Sequence, residues 1–294
     1  MAVAEGGAVT YGQARAWLTL ARISNSPTVI SNVAVGVALA GGAAASVGSG
    51  LVALAMVLFY TAGMILNDVC DLAWDRVHRP TRPIPAGVVS RAGATAAVVG
   101  LFGLGLALLG LVSAWSVLAG LVLIGVIVLY DAWHKSNPLS PLVMALCRVG
   151  VYVTAFASAA WPPNGSLGIA AGLLVLYMVG LTAIAKSEAQ PSATGYWPAA
   201  ILFGAPLWFV FQGGAASPVV MVLGVAFIAW VAYSIRFVYR TEGRSIGGAI
   251  ARLIAGISLY DAVVLASLGS TGGVAVALVA FALTLWFQRF IEGT

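Results

Sequence analysis

"LVALAMVLFYTAGMILNDVCDLAWDRVHRPTRPIPAG", Leu51 to Gly87, begins as an apolar run long enough to cross a bilayer as a helix and ends in a dense set of charges. Asp68, Asp71, Asp75, Arg76, Arg79 and Arg82 fall within fifteen positions of a chain in which only 8% of residues are charged. Charge is costly beside hydrocarbon, so such a concentration at the end of an apolar run marks a polar site at a membrane edge.

Working outward, the apolar run proves to be one of many. The chain is 61% hydrophobic with a mean hydropathy of +1.03. Spans are expected near residues 27–47, 51–70, 92–112, 115–132, 140–160, 167–186, 197–212, 218–236, 250–268 and 272–290. No ten-residue alternating pattern of a membrane barrel is present, so the fold class is all-α, a polytopic helical bundle. Segment 197–212 contains Pro206 and segment 272–290 ends in Gln288 and Arg289, which leaves nine or ten transmembrane helices in a single domain over 1–294.

The connections alternate in charge. Those at 42–50, 112–116, 161–167, 212–218 and 268–273 contain no Lys, Arg, Asp or Glu, while all 14 Lys and Arg lie in the termini or in 71–91, 131–148, 186–196 and 236–252. By the positive-inside rule the basic face is cytoplasmic, with the N-terminus on it. The net charge of +5 is therefore a matter of topology and not of nucleic-acid binding. No cleavable signal peptide is expected, since the segment through Arg22 lacks a short apolar core followed by a small-residue cleavage site. Cys70 and Cys147 read as small buried fillers. Gly41-Gly42, Gly213-Gly214 and Gly272-Gly273 read as turns on the uncharged face. Gly100 to Gly105 reads as helix packing, because no strand precedes it.

The acidic cluster has a helical logic. If the second helix runs on to Asp75, Asn67, Asp68, Asp71 and Asp75 fall within an arc of roughly 100°. Two carboxylates ~6 Å apart repel by about 3 kcal/mol at an effective dielectric near 20, so the set calls for a cation. A hard divalent ion suits it: Mg²⁺ prefers oxygen ligands and bridges a few carboxylates to substrate phosphates. Pro80, Pro83 and Pro85 then end the helix in a stiff loop on which Arg79 and Arg82 present planar forks suited to phosphate oxygens. Taken singly, Asp75 and Arg79 also fit a helix-end salt bridge, and Arg82 a contact with lipid phosphate.

Three further polar clusters follow. In "LYDAWHKSNP", Tyr130, Asp131, His134 and Lys135 close the fourth span; Lys135 suits a phosphate and Tyr130 a cation, and an ordinary interfacial belt fits equally. Arg148, inside the fifth span, is expected to face a polar cavity. In "LTAIAKSEAQP", Lys186 and Glu188 either complete the site or cap a helix end. Asp261, next to Tyr260 and well inside the ninth span, is an intramembrane carboxylate whose alternatives are a functional role or pairing with an arginine elsewhere in the bundle, Arg252 being about two turns earlier.

Asn67, Asp68, Asp71 and Asp75 form N-D-x-x-D-x-x-x-D, followed by R-P-x-R-P-I-P-x-G at 79–87 and a Tyr-x4-Lys at Tyr130 and Lys135. In these motifs, and in topology over nearly its whole length, the chain resembles the UbiA superfamily of intramembrane prenyltransferases. The resemblance implies a bundle of about nine helices around a central cavity with a cytoplasmic polar cap, and Mg²⁺-dependent transfer of a prenyl group from a prenyl diphosphate donor to a lipophilic, often aromatic, acceptor. It further implies that Asn67, Asp71 and Asp75 bind metal and diphosphate, that Asp68 assists, and that Arg79, Arg82 and Lys135 hold phosphate oxygens.

The family's second motif, D-x-x-x-D near the sixth span, is absent; "AKSEAQ" stands there, with Glu188 as its only carboxylate. In this the chain looks more similar to a bacterial branch found in ebo-type gene clusters, which implies an inner-membrane location. Lys186 would then replace a second metal, with Glu188 orienting it or taking the acceptor proton. Tyr130, Tyr152 or nearby tryptophans are candidates to face an allylic cation. The alternatives are a terpene cyclase, in which the cation is captured by its own chain, and a lipid-binding or transport component that keeps the diphosphate site without turnover.

Overall fold

In the computed structural model, which describes residues 12–134, 137–187, 195–213, 217–240 and 243–291, every regular element is helical. A short α1 (Gln13–Leu20) and a 3₁₀ turn (Ile23–Asn25) lead into α2 (Pro27–Leu39), α3 (Val47–Cys70), α4 (Leu72–His78), α5 (Arg91–Gly110), α6 (Ala114–Trp133) and α7 (Ser140–Ala157). Then come α8 (Gly165–Lys186), α9 (Trp197–Leu202), α10 (Gly204–Gly213), α11 (Pro218–Tyr239), α12 (Ile246–Ser267) and α13 (Thr271–Phe287). Seven of these, α3, α5 to α8, α11 and α12, are long and apolar enough to cross a membrane; Ile23–Leu39, Trp197–Gln212 and Thr271–Phe287 are shorter apolar segments.

Local chemistry sets the helix starts. Ser46, Ser90 and Asn164 accept from the backbone N–H of Ser49, Gly93 and Leu167 at 3.1, 3.0 and 2.9 Å, which satisfies donors that an unstarted helix leaves open. Pro27, Pro141, Pro198 and Pro218 occupy first-turn positions where a missing N–H costs nothing. Pro206 acts differently. It cannot donate to the carbonyl of Leu202, and the expected span 197–212 breaks into α9 and α10 at Phe203.

Two apolar cores meet along α2 and α7. One gathers α1, α3, α5 and α6; the other gathers α8 and α10 to α13, with α12 buried almost throughout. At Gly36 a Cβ would stand 2.5 Å from the Tyr152 carbonyl and 2.6 Å from Ala155 Cβ, so only glycine allows α2 this close to α7. Gly105 is tight in the same way, 2.5 Å from the Phe59 ring, which bears out helix packing there, whereas Gly100 is exposed and a Cβ on it would meet open space.

Three expectations are corrected. Gly272 and Gly273 lie in the first turn of α13, and the turn is made by Gly269, whose φ of +69° glycine alone adopts easily. Gly213 ends α10 and is not in a turn, while Gly214 lies outside the described residues. Cys70 is exposed, on the outer side of a turn whose neighbours Val69 and Leu72 are buried, and Cys147 is only half-buried.

Candidate active site

The second span does not run unbroken to Asp75. It pauses at Asp71, which ends α3 and starts α4, accepting from the N–H groups of Trp74 and Asp75 at 3.0 and 2.9 Å. The pause still leaves Asn67, Asp71 and Asp75 on one cavity of about 440 Å³, with Arg22, Trp74, Arg79 and Arg82 completing its wall. The proline loop folds back onto the bundle: Ile84 and Val89 are buried, and Pro83 accepts from Val88 and Val89 at 3.0 and 3.1 Å. That return carries Arg82 over the aspartates.

Arg82 Nη1 lies 3.0 Å from Asp68 Oδ1 and 2.9 Å from Asp75 Oδ2. Arg22 Nη2 stands 3.5 Å from both Asn67 Oδ1 and Asp68 Oδ1. The Asp75–Arg79 bridge that the spacing allows is not formed; Arg79 lies over the Trp74 ring at 5.8 Å instead. Asp71 Oδ2 is 3.6 Å from His134 Nε2, and the carboxylate's proximity raises the imidazole above its usual pKa although burial opposes it. Asn67 Nδ2 donates to Asp131 Oδ1 at 3.1 Å.

Two buried carboxylate oxygens have no partner among the described residues, Asp75 Oδ1 and Asp131 Oδ2. No three His, Cys, Asp or Glu side chains among those residues converge as a ready metal cage. Mg²⁺ does not require one, since it keeps waters and shares ligands with phosphates. An unpartnered oxygen on Asp75, with oxygen donors from Asn67 and Asp71 on the same cavity, fits such an ion.

A second, apolar cavity of about 160 Å³ adjoins the first and shares Arg22 with it. Phe59, Tyr60, Ile127, Met178 and Leu181 line it, and so do Tyr130, Asp131 and Arg148. Arg148 donates to Thr28 Oγ1 at 3.0 Å and Asn32 Oδ1 at 3.1 Å, with the Tyr60 ring 5.7 Å away. Tyr152 does not reach this cavity: its hydroxyl donates to Asp261 and it is fully buried, so Tyr60 and Phe59 take the place expected of it. Lys186 donates to the Asn137 carbonyl at 3.0 Å and lines neither cavity. Lys135 and Glu188 lie outside the described residues.

Arg22 and Asp131 hold places in the site that the sequence motifs do not assign to them. Arg22 adopts a left-handed backbone, φ 42°, between α1 and the 3₁₀ turn, and only the fold brings it to Asp68. Asp131 had a visible signal, a carboxylate at the end of an apolar run beside Tyr130.

Fold and site together define a helical membrane bundle in which a polar, acidic-and-basic cavity adjoins an apolar one. The chain belongs to the UbiA prenyltransferase family, whose model matches residues 29–250. It is 38% identical over 113 residues to the digeranylgeranylglyceryl phosphate synthase of Methanoregula boonei, covering 38% of this chain and 40% of that one. To the synthase of the same name from Methanopyrus kandleri it is 34% identical over 137 residues, 46% of this chain and 50% of the other. The chain thus matches half or less of the length of these curated relatives. In fold it is similar to a UbiA homolog from Archaeoglobus fulgidus, with a TM-score of 0.60 at 17% identity over 86% of this chain and 99% of that one. The same homolog bound to DMAPP and Mg²⁺ gives 0.54 at 15% identity, over 94% and 99% of the two chains. Family and helices together make it an integral, multi-pass membrane protein.

Proposed function

We propose that this protein transfers a prenyl group from a prenyl diphosphate to a lipophilic acceptor, with Mg²⁺ as cofactor. The observation that carries the reading is the pairing of two cavities across Arg22, one lined by Asn67, Asp71, Asp75, Arg79 and Arg82, the other by apolar and aromatic side chains. A diphosphate suits the first and an isoprenoid tail the second. The Archaeoglobus homolog solved with DMAPP and Mg²⁺, and with GPP and Mg²⁺, supports both halves of the assignment.

Asn67, Asp71 and Asp75 would hold the ion. Magnesium, when bound, neutralises diphosphate charge and makes it a better leaving group. Arg79 and Arg82 hold phosphate oxygens through their planar forks, Arg82 moving from Asp68 and Asp75 toward the incoming anion, and Lys135 adds a third cation. Tyr130, Tyr60 and Phe59 face the allylic carbon as positive charge develops, a contribution of about 0.5–2 kcal/mol per ring. Asp131, with one free buried oxygen on the apolar side, stands where an acceptor would enter. Lys186 would have to leave the Asn137 carbonyl to supply fixed positive charge in place of the missing second aspartate motif, with Glu188 orienting it or taking the acceptor proton. The polar lip belongs to the cytoplasmic face of a cell membrane, with the N-terminus on that side.

The test is release of diphosphate from farnesyl or geranylgeranyl diphosphate by wild type and Asp71→Asn, with lipid extracts searched for a prenylated product. Turnover unchanged in the variant contradicts the assignment. Diphosphate release giving a hydrocarbon with no acceptor consumed would identify a cyclase.

A further inference from the structure

On the far side of the bundle's inner end, a second cationic site is built around the junction of α11 and α12. Arg236 stands 4.1 Å from the Tyr233 ring and 4.8 Å from the Phe237 ring. Arg240 lies 5.2 Å from Phe237, and Arg252, from the next helix, 4.4 Å from Phe237 and 5.6 Å from Tyr233. Three guanidiniums therefore converge on one phenylalanine. Arg244 is close in the chain to the same platform, since the N–H of the following Ser245 donates to the Phe237 carbonyl at 3.0 Å. Its Nε and Nη2 atoms are buried with no hydrogen-bond partner among the described residues.

Among the described residues none of these arginines meets a carboxylate; every ion pair there belongs to Arg22, Arg82 or His134. Ring faces attract single guanidiniums but do nothing to relieve their mutual repulsion, which grows as water is excluded. Unpaired donors, convergent positive charge and flat apolar faces together call for an anion. None of the four arginines lines either cavity of the active site, so the prenyl donor does not supply it.

The surroundings indicate its source. Val219, Val222 and Val225 on α11 are exposed, a lipid-facing surface that leads along the helix to the arginines at its inner end. An acyl chain lying on that surface brings its headgroup to Arg236 and Arg240. Trp230 Nε1 donates to the Arg252 carbonyl at 2.8 Å, and Arg252 Nη1 to the Gly248 carbonyl at 2.8 Å, so the platform is held in place from behind.

We propose that Arg236, Arg240, Arg244 and Arg252, set on Tyr233 and Phe237, form a binding site for the phosphate headgroup of an anionic lipid, separate from the active site. The shared chemistry is a phosphate oxyanion, and a free phosphate is the competing source.

The test uses the full chain in nanodiscs of mixed phosphatidylglycerol and phosphatidylcholine, with lipid retention read by native mass spectrometry. Wild type is expected to retain phosphatidylglycerol selectively, with about fivefold loss for each arginine removed. R236Q/R240Q/R252Q should abolish that preference, and Arg244→Gln alone should weaken it. R15Q/R91Q/R289Q removes the same charge elsewhere and should leave it intact. Glu242 is the only carboxylate of the intervening loop, and Glu242→Gln should keep or strengthen retention. Retention that millimolar inorganic phosphate does not displace assigns the site to lipid, whereas displacement with no lipid preference assigns it to free phosphate and overturns the lipid source. Equal retention by wild type and the monodisperse, helical triple variant, or equal loss in R15Q/R91Q/R289Q, overturns the site itself.

Discussion

The protein buries carboxylates in two places and answers them in opposite ways. At the inner lip, Asp68 and Asp75 are met by the guanidiniums of Arg82 and Arg22, and one oxygen of Asp75 is left without a partner. In the middle of the bundle, Asp261 is met by neutral donors: Ser31 at 2.5 Å, Asn32 at 2.8 Å and the Tyr152 hydroxyl. The nearest cation, Arg148, reaches it only through Asn32. The first arrangement is unsaturated and borders a cavity, so a ligand can reach it, and a cation arriving with the ligand would compensate the carboxylates that Arg82 leaves. The second is saturated from α2 and α7 and joins those helices to α12. One is a site; the other is a joint.

Breaking the site should hit chemistry hardest. Asp71→Asn is expected to lower the rate of diphosphate release at least ~100-fold, about 2.7 kcal/mol of barrier, with the thermal midpoint nearly unchanged. A large fall in stability with it would erase the distinction between the two centres.

Breaking the joint should do the reverse. Asp261→Ala leaves Ser31, Asn32 and Tyr152 without their acceptor in a water-free interior, and is expected to cost about 2–4 kcal/mol of stability. Reversible unfolding in mixed micelles measures it. In correctly folded variant protein, donor affinity should stay within about threefold of wild type, a bound set by the absence of Asp261 from both cavities.

Arg82→Gln sharpens the contrast from the cationic side. It removes the bridge across Asp68 and Asp75 and the proposed phosphate contact, and KM for the prenyl diphosphate should rise about tenfold with a smaller change in kcat.

The smallest effect concerns pH. In metal-free protein the Asp71 carboxylate facing His134 Nε2 raises the His134 pKa above its ordinary value near 6.5. That stabilisation is complete below the ordinary value and is lost as pH rises through the raised one. Its size should be about 1 kcal/mol or less, because the pair is partly solvated. His134→Gln should flatten the profile of melting temperature against pH; an unaltered slope would assign the dependence elsewhere.

The legible parts of this molecule were those written locally. Apolar runs located most helices to within a few residues, although the span expected at 27–47 ends at Leu39; the serine caps, the first-turn prolines and the break at Phe203 came from the structure. The spacing of Asn67, Asp71 and Asp75 put them on one cavity even though the helix pauses at Asp71, because the backbone bonds from Asp71 to Asn67 and from Asp75 to Asp71, both 2.9 Å, keep the four-residue spacing through the pause. What stayed hidden depends on contacts remote in sequence. Arg22 reaches Asp68 from 46 positions away, and nothing near it in the chain announces that partner. Arg252 lies about two turns before Asp261 but faces Phe237, since the helix face that carries it looks toward α11. Asp261 was visible as an intramembrane carboxylate, yet its neutral partners come from α2 and α7 and could not be read from its own helix.

The most direct measurement of the central claim is equilibrium binding of a non-hydrolysable prenyl diphosphate analogue, with and without Mg²⁺, to wild type and to Asp71→Asn/Asp75→Asn. Wild type should bind at least ~10-fold more tightly with Mg²⁺, and the double variant should bind weakly and without regard to the metal. Equal affinity for wild type in Mg²⁺ and in EDTA would contradict the account.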